Sequence, residues 1–172
     1  MNPLQSWSHA VTDIPEGGLT RSRKASPDDC NALAAALAIP AVDGLDVNYR
    51  ISNLPGGGYR LTGALHGAVV QACVVSLEPV PGAVQDRFDV EFWPDFGRRA
   101  AETEQSVLQG PDVEPLSHGV IDAGRIVFEC LSAALDPYPR KEGAEFGWRD
   151  PLQEKAGATG PFAILAKLKG ET

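Results

Sequence analysis

Between residues 44 and 92 apolar side chains fall on every second position, and no other feature of the chain limits its fold so sharply. In Leu45-Asp46-Val47-Asn48-Tyr49-Arg50-Ile51 the odd positions are apolar and the even ones polar, the period of a strand that buries one face. Pro55-Gly56-Gly57-Gly58 supplies a turn. From Tyr59 onward Leu61, Leu65, Val69, Cys73, Val75 and Leu77 share one parity, and Arg60, Thr62, His66, Val70 and Val74 share the other. A second turn is expected at Glu78-Pro79-Val80-Pro81-Gly82, after which Val84, Phe88, Val90 and Phe92 alternate with Arg87, Asp89 and Glu91. The pattern predicts three long antiparallel segments, a meander with one inner face and one partly wet face.

Such a face needs cover, and the flanking segments supply it. Two helices are predicted. Ser26-Pro27-Asp28-Asp29 combines a capping hydroxyl, Pro at the first helical position and two acids at the positive end of the dipole. Cys30, Leu33, Ala34 and Leu37 follow at helical spacing, until Pro40 stops the segment. The second helix starts at Ile121-Asp122, with Asp122 as N-cap and Ile126, Val127, Cys130, Leu131 and Ala134 as its apolar stripe. Each large side chain such a stripe fully buries contributes on the order of 1.5–3 kcal/mol. The prolines of Asp136-Pro137-Tyr138-Pro139 end it.

Further elements are read around these. Trp7, His9, Val11 and Ile14 read as a short strand, Pro15-Glu16-Gly17-Gly18 as its turn and residues 19–24 as the returning partner, an N-terminal hairpin. Over 95–118 the alternation dissolves into Gly97, Gly110, Pro111 and Pro115 among Glu102, Glu104, Asp112 and Glu114, a long acidic loop that is either a solvated excursion or a partner-binding element. Residues 161–169 read as a short amphipathic helix, with Phe162, Leu165 and Leu168 on one edge, expected either to dock back on the core or to serve as a tethered peptide for a partner, since it needs a surface to lie on. The fold expected is α+β: one domain over 1–150, a curved antiparallel sheet of meander plus hairpin packed by two helices, and a tail over 151–172. Curvature leaves barrel-like closure open.

Composition narrows the function. A net charge of −8 and a pI near 4.8 argue against a broad phosphate-tracking surface, so RNA contact would be local and DNA is not an expected partner. Arg21, Arg23 and Lys24 form one basic cluster, Arg98 and Arg99 a second, Arg140 and Lys141 a third. Apolar runs are too short to cross a bilayer, and Met1-Asn2-Pro3-Leu4-Gln5 does not open as a secretory signal, so a cytosolic address is expected. Cys30, Cys73 and Cys130 are odd in number and far apart, without Cys-x-x-Cys spacing, which fits reduced core thiols rather than disulfides or zinc.

No catalytic motif is present. Gly56-Gly57-Gly58 lacks the Lys-Ser/Thr of a phosphate loop, and His9, His66 and His118 have no partners at metal-ligand spacing. Cys73 is the one nucleophile candidate, with His66 seven residues earlier. Along one strand that separation is about 20 Å at about 3.3 Å per residue, and the two fall on opposite parities, so a cysteine-dependent enzyme is a third and weak alternative. No cofactor and no metal are expected.

The order of these segments resembles the YceD-like family of large ribosomal RNA subunit accumulation proteins, in its alphaproteobacterial form. The likeness runs through Trp7-Ser8-His9, Asp13-Ile14-Pro15-Glu16-Gly17-Gly18, Val69-Val70-Gln71-Ala72-Cys73-Val74-Val75-Ser76-Leu77-Glu78-Pro79-Val80 and Phe88-Asp89-Val90-Glu91-Phe92. It continues through Ile121-Asp122, Leu135-Asp136-Pro137-Tyr138-Pro139-Arg140-Lys141-Glu142-Gly143-Ala144 and Pro161-Phe162-Ala163-Ile164-Leu165. Many relatives look as if they carry Cys-x-x-Cys where this chain has Cys73-Val74-Val75-Ser76, and a second pair where it has 139–146, so any thiol or metal role does not carry over. The resemblance implies a non-enzymatic factor supporting large-subunit ribosomal RNA synthesis, processing or accumulation, with a ribosomal RNA precursor or an assembly protein as partner and no membrane. The alternative is an acidic protein-protein adaptor without RNA contact. The site expected for the partner is the proline-framed strip 136–144, with Asp136, Tyr138, Arg140 and Lys141; its structural reading is a helix stop packed on the sheet.

Overall fold

The computed structural model describes residues 3–97, 110–145 and 147. The Arg98–Arg99 pair, the middle of the acidic loop and the 161–169 helix lie outside them. In chain order the elements are β1 (Ser8–Ala10), β2 (Leu19–Lys24), α1 (Pro27–Leu37), β3 (Ala41–Asn53), β4 (Tyr59–Ala72), β5 (Pro79–Trp93), β6 (Asp112–Pro115), β7 (Val120–Asp122) and α2 (Ala123–Ala134), with single 3-10 turns at Gln5–Trp7 and Val11–Asp13. The architecture is α+β, as the patterning requires.

Strands β2-β3-β4-β5-β6 form one sheet in that spatial order, and β1-β7 a second of two strands. All pairs are antiparallel except β5 with β6. β2 and β6 leave the larger sheet with two edges, so it is open rather than a closed barrel. The inner face carries Leu45, Val47, Tyr49 and Ile51 of β3, Leu61, Leu65 and Val69 of β4, and Val84, Phe88, Val90 and Phe92 of β5, all buried. Cys30 and Leu33 of α1, Ile126, Val127 and Leu131 of α2, and Leu4, Trp7 and Ile121 close the core over them. The helix starts are as expected. Ser26 Oγ accepts from Asp29 N–H while the Asp29 carboxylate accepts from Ser26 N–H, and Asp122 accepts from Arg125 N–H.

Two glycines explain close approaches. A Cβ on Gly63 would run into the Phe88 ring, which crosses β4 at that point. A Cβ on Gly58 would meet the Trp93 indole at 2.8 Å, and that indole donates to the buried Glu91 carboxylate at 2.9 Å.

Three expectations are corrected. The N-terminal hairpin does not form: β1 pairs with β7, and β2 pairs with β3. The Pro15–Gly18 turn is tied to β3 instead, since Asn53 Nδ2 donates to the carbonyls of Pro15 and Glu16 at 2.8 and 3.0 Å and Arg50 donates to that of Gly17 at 2.8 Å. Next, β4 ends at Ala72, so Cys73, Val75 and Leu77 belong to the turn, and Pro79 and Pro81 lie in β5 opposite Ala72 and Val70. Proline is tolerated there because β6 reaches only Val90–Trp93, and among the described residues no ladder forms on that side of β5 at the prolines. Last, residues 112–115 of the expected loop are the strand β6, parallel to β5. A parallel partner needs a long crossover, which the intervening segment provides.

Candidate docking surface at the beta4-beta5 turn

The turn after β4 is built around one sulfur. Cys73 N–H donates to the Glu78 carbonyl at 2.8 Å and Leu77 N–H to the Cys73 carbonyl at 2.9 Å, which folds residues 73–78 into a tight loop with Leu77 at φ +61°. Inside it, Cys73 Sγ accepts the backbone N–H groups of Val75 and Ser76, each at 3.4 Å. A third donor comes from outside the turn: Lys141 N–H, also at 3.4 Å.

That donor arrives because α2 stops where the prolines require. Leu135 turns extended, and the strip that follows runs back across the β4-β5 turn. Gln71 Nε2 donates to the Asp136 carbonyl at 2.8 Å, Val74 N–H to the Pro139 carbonyl at 2.9 Å, and Lys141 Nζ to Glu78 Oε1 at 2.7 Å. The Asp136 carboxylate accepts Tyr138 N–H at 2.9 Å, and Pro139 is buried in the joint. Tyr138 itself points away and is 73% exposed, beside the exposed Arg140. From the turn, Leu77 (79%) and Val74 (47%) also face solvent.

The electrostatics follow from the donors. Lys141 N–H, then the Ser76 hydroxyl and Ser76 N–H, bring the Cys73 thiol down to about 6 against the opposing effect of burial. These donors favour the thiolate form of Cys73. Glu78 is also held below its ordinary value, by Lys141 first and the Ser76 hydroxyl second. Cys130 shows the opposite chemistry: burial, then its contact to Asp86 at 3.3 Å, push it up to about 12.

A thiolate alone is not a catalyst. Cys73 has no exposed surface, so a substrate does not reach its sulfur. His66 sits on the outer sheet face, in register with Asp46 and Gln85 and away from the turn, as opposite parity requires. Among the described residues no group of three His, Cys, Asp or Glu side chains converges in a way that would hold a metal ion. What the sulfur does is accept three N–H groups and lock two distant segments together.

Of the residues expected at the site, Asp136 and Lys141 serve the joint, while Tyr138 and Arg140 remain free to meet a partner. Gln71, Val74, Leu77 and Glu78 belong to the same surface and were not expected there. No local sequence signal marked them, since Val74 and Leu77 read as strand residues and Glu78 as the start of the turn. Compared with models of protein families, with curated proteins and with solved structures, the chain finds no match.

Proposed function

We propose that this chain is a non-enzymatic factor acting in the cytosol to support large-subunit ribosomal RNA synthesis, processing or accumulation, and that it docks a ribosomal RNA precursor or an assembly protein at the β4-β5 corner. One observation carries the docking surface: the 136–141 strip is pinned to the turn through Gln71, Val74, Cys73 and Glu78, yet Tyr138, Leu77 and Val74 are left exposed. The backbone that carries these side chains is held by the joint and has already lost much of its conformational freedom, so binding costs little further ordering of the chain. An aromatic beside an arginine is also the composition of interface hot spots. The ribosomal assignment rests on the sequence resemblance quoted above.

The test is a cross-linked recovery of the native protein from cells that records both RNA and protein. Tyr138→Ala with Arg140→Ala is expected to lose the ribosomal precursor without losing stability; unchanged recovery of ribosomal precursor removes the corner as the docking site. The apolar make-up of the patch favours a second reading, an acidic adaptor that touches protein alone. Salt separates the two, because phosphate contact weakens steeply as salt rises and an apolar interface does not.

A further inference from the structure

The basic cluster Arg21, Arg23 and Lys24 is divided by the alternation of β2. Lys24 takes the outer face, 4.0 Å from Asp46. Arg21 and Arg23 take the opposite face, in register with Tyr49 and Val47. There the Tyr49 side chain is buried and its hydroxyl lies 2.8 Å from His9 Nε2 of β1. Two arginines, a phenol and an imidazole thus gather at one edge of the core.

Their hydrogen bonding is incomplete. Arg23 Nε is buried and has no partner, although the same guanidinium donates a hydrogen bond to the Tyr49 hydroxyl, and Arg21 reaches only the Thr20 carbonyl, at 3.2 Å. Among the described residues neither guanidinium is in an ion pair. In a chain of net charge −8, two arginines side by side without an acid are conspicuous. Asp13, the acid whose charge reaches His9, is bound by the Thr12 hydroxyl at 3.3 Å. A buried donor left open calls for an acceptor.

We propose that Arg21 and Arg23 of β2, with the Tyr49 hydroxyl and His9 beside them, form a seat for a phosphate group. The guanidinium fork matches a phosphate's oxygens in a way that a point charge does not, and the Tyr49–His9 pair backs the two forks from the core side. A carboxylate presents two oxygens and one charge, which leaves part of this donor set unmet. The seat uses none of the docking-corner residues and stands independently of the ribosomal reading.

The seat also has a reporter. Burial, then Arg23 and Arg21, hold the His9 pKa below its ordinary value, with Asp13 opposing. An anion placed on the arginines offsets their field, so the His9 pKa rises when the seat fills.

The experiment is an NMR titration of the full chain with inorganic phosphate, with acetate at matched ionic strength as control, reading the His9 ring against pH. Phosphate is expected to give saturable shifts confined to His9, Arg21, Arg23 and Tyr49 and to raise the His9 pKa. Arg21→Gln and Arg23→Gln should each weaken it about tenfold, from the loss of a charge-assisted hydrogen bond. Arg23→Lys, which keeps the charge and loses Nε, should weaken it too. If the half-buried Arg23 variants fail to fold, the exposed Arg21→Gln carries the test. No saturable shift, an equal response to acetate, or an unchanged response in Arg21→Gln overturns the seat. A single-stranded oligoribonucleotide that displaces phosphate assigns it to a nucleic-acid backbone, and one that does not assigns it to free phosphate; either supports the seat.

Discussion

The sulfur of Cys73 accepts a hydrogen bond from the backbone N–H of Lys141, 68 residues further along the chain, at 3.4 Å. This contact joins the end of the meander to the strip that leaves α2. It makes the sulfur an acceptor within the joint and ties down the strip that carries Tyr138 and Arg140.

The first prediction concerns pH. The fold brings the Cys73 thiol down from an ordinary 9.0 to about 6. Between those values the native state holds fewer protons than the unfolded state, so stability rises with pH. The contribution is complete above about pH 9, declines as pH falls and is gone below about pH 6. Urea denaturation of the native sequence and of Cys73→Ala at pH 6, 7.5 and 9 should show a gap that widens with pH. A gap that stays constant would mean the sulfur is not ionised in the joint.

Thiol reactivity separates ionisation from access. The Cys73 thiol is brought down to about 6 but is fully covered, whereas burial and Asp86 push Cys130 up to about 12. Iodoacetamide should therefore label Cys73 slowly in the native protein and fast after denaturation. Rapid native labelling at neutral pH would restore the case for a nucleophile.

The ion pair in the joint is expected to matter far less than the backbone bonds. Lys141 and Glu78 side chains are 50% and 51% exposed, and pairs of that kind contribute roughly 0.2–1 kcal/mol. Lys141→Ala keeps the N–H that Cys73 needs. Its denaturation midpoint should stay close to that of the parent, while Cys73→Ala should shift clearly at pH 9; equal losses in the two would contradict this ranking.

Gly63 and Phe88 should behave as a coupled pair, because the ring occupies the space a Cβ on Gly63 would need. Gly63→Ala is expected to destabilise by about 1–3 kcal/mol, as overpacking of a filled core does. Adding Phe88→Leu should cost less in the Gly63→Ala background than alone. A double-mutant cycle with no interaction term would show that the ring moves aside freely.

Asp122 caps α2 and also accepts from Ser8 Oγ, at 3.3 Å. Asp122→Ala should lower stability by about 1 kcal/mol, and Asp122→Asn by less, since the amide oxygen still caps. Thermal denaturation of the pair checks the order.

Much of this molecule was legible one window at a time. The parity of β3, β4 and β5 assigned Leu45, Val47, Ile51, Leu61, Leu65, Phe88 and Val90 to the core, and the caps at Ser26 and Asp122 placed both helices. These are local rules, satisfied by residues a few positions apart. At the candidate site the same reading proposed Asp136, Tyr138, Arg140 and Lys141 but not Gln71 or Glu78, which the structure places against that strip, because no local pattern in 71–78 announces a distant contact.

What the sequence settled by itself was therefore the type of each main element and the face it buries, since a period of two or a capping hydroxyl acts within its own stretch of chain. Which edges meet was decided in three dimensions. β1 pairs with β7 and not with β2, β6 lies parallel to β5, and the 136–141 strip closes on Cys73, because such pairings depend on which backbone groups the other elements leave unpaired. That competition between distant partners leaves no mark on any short segment.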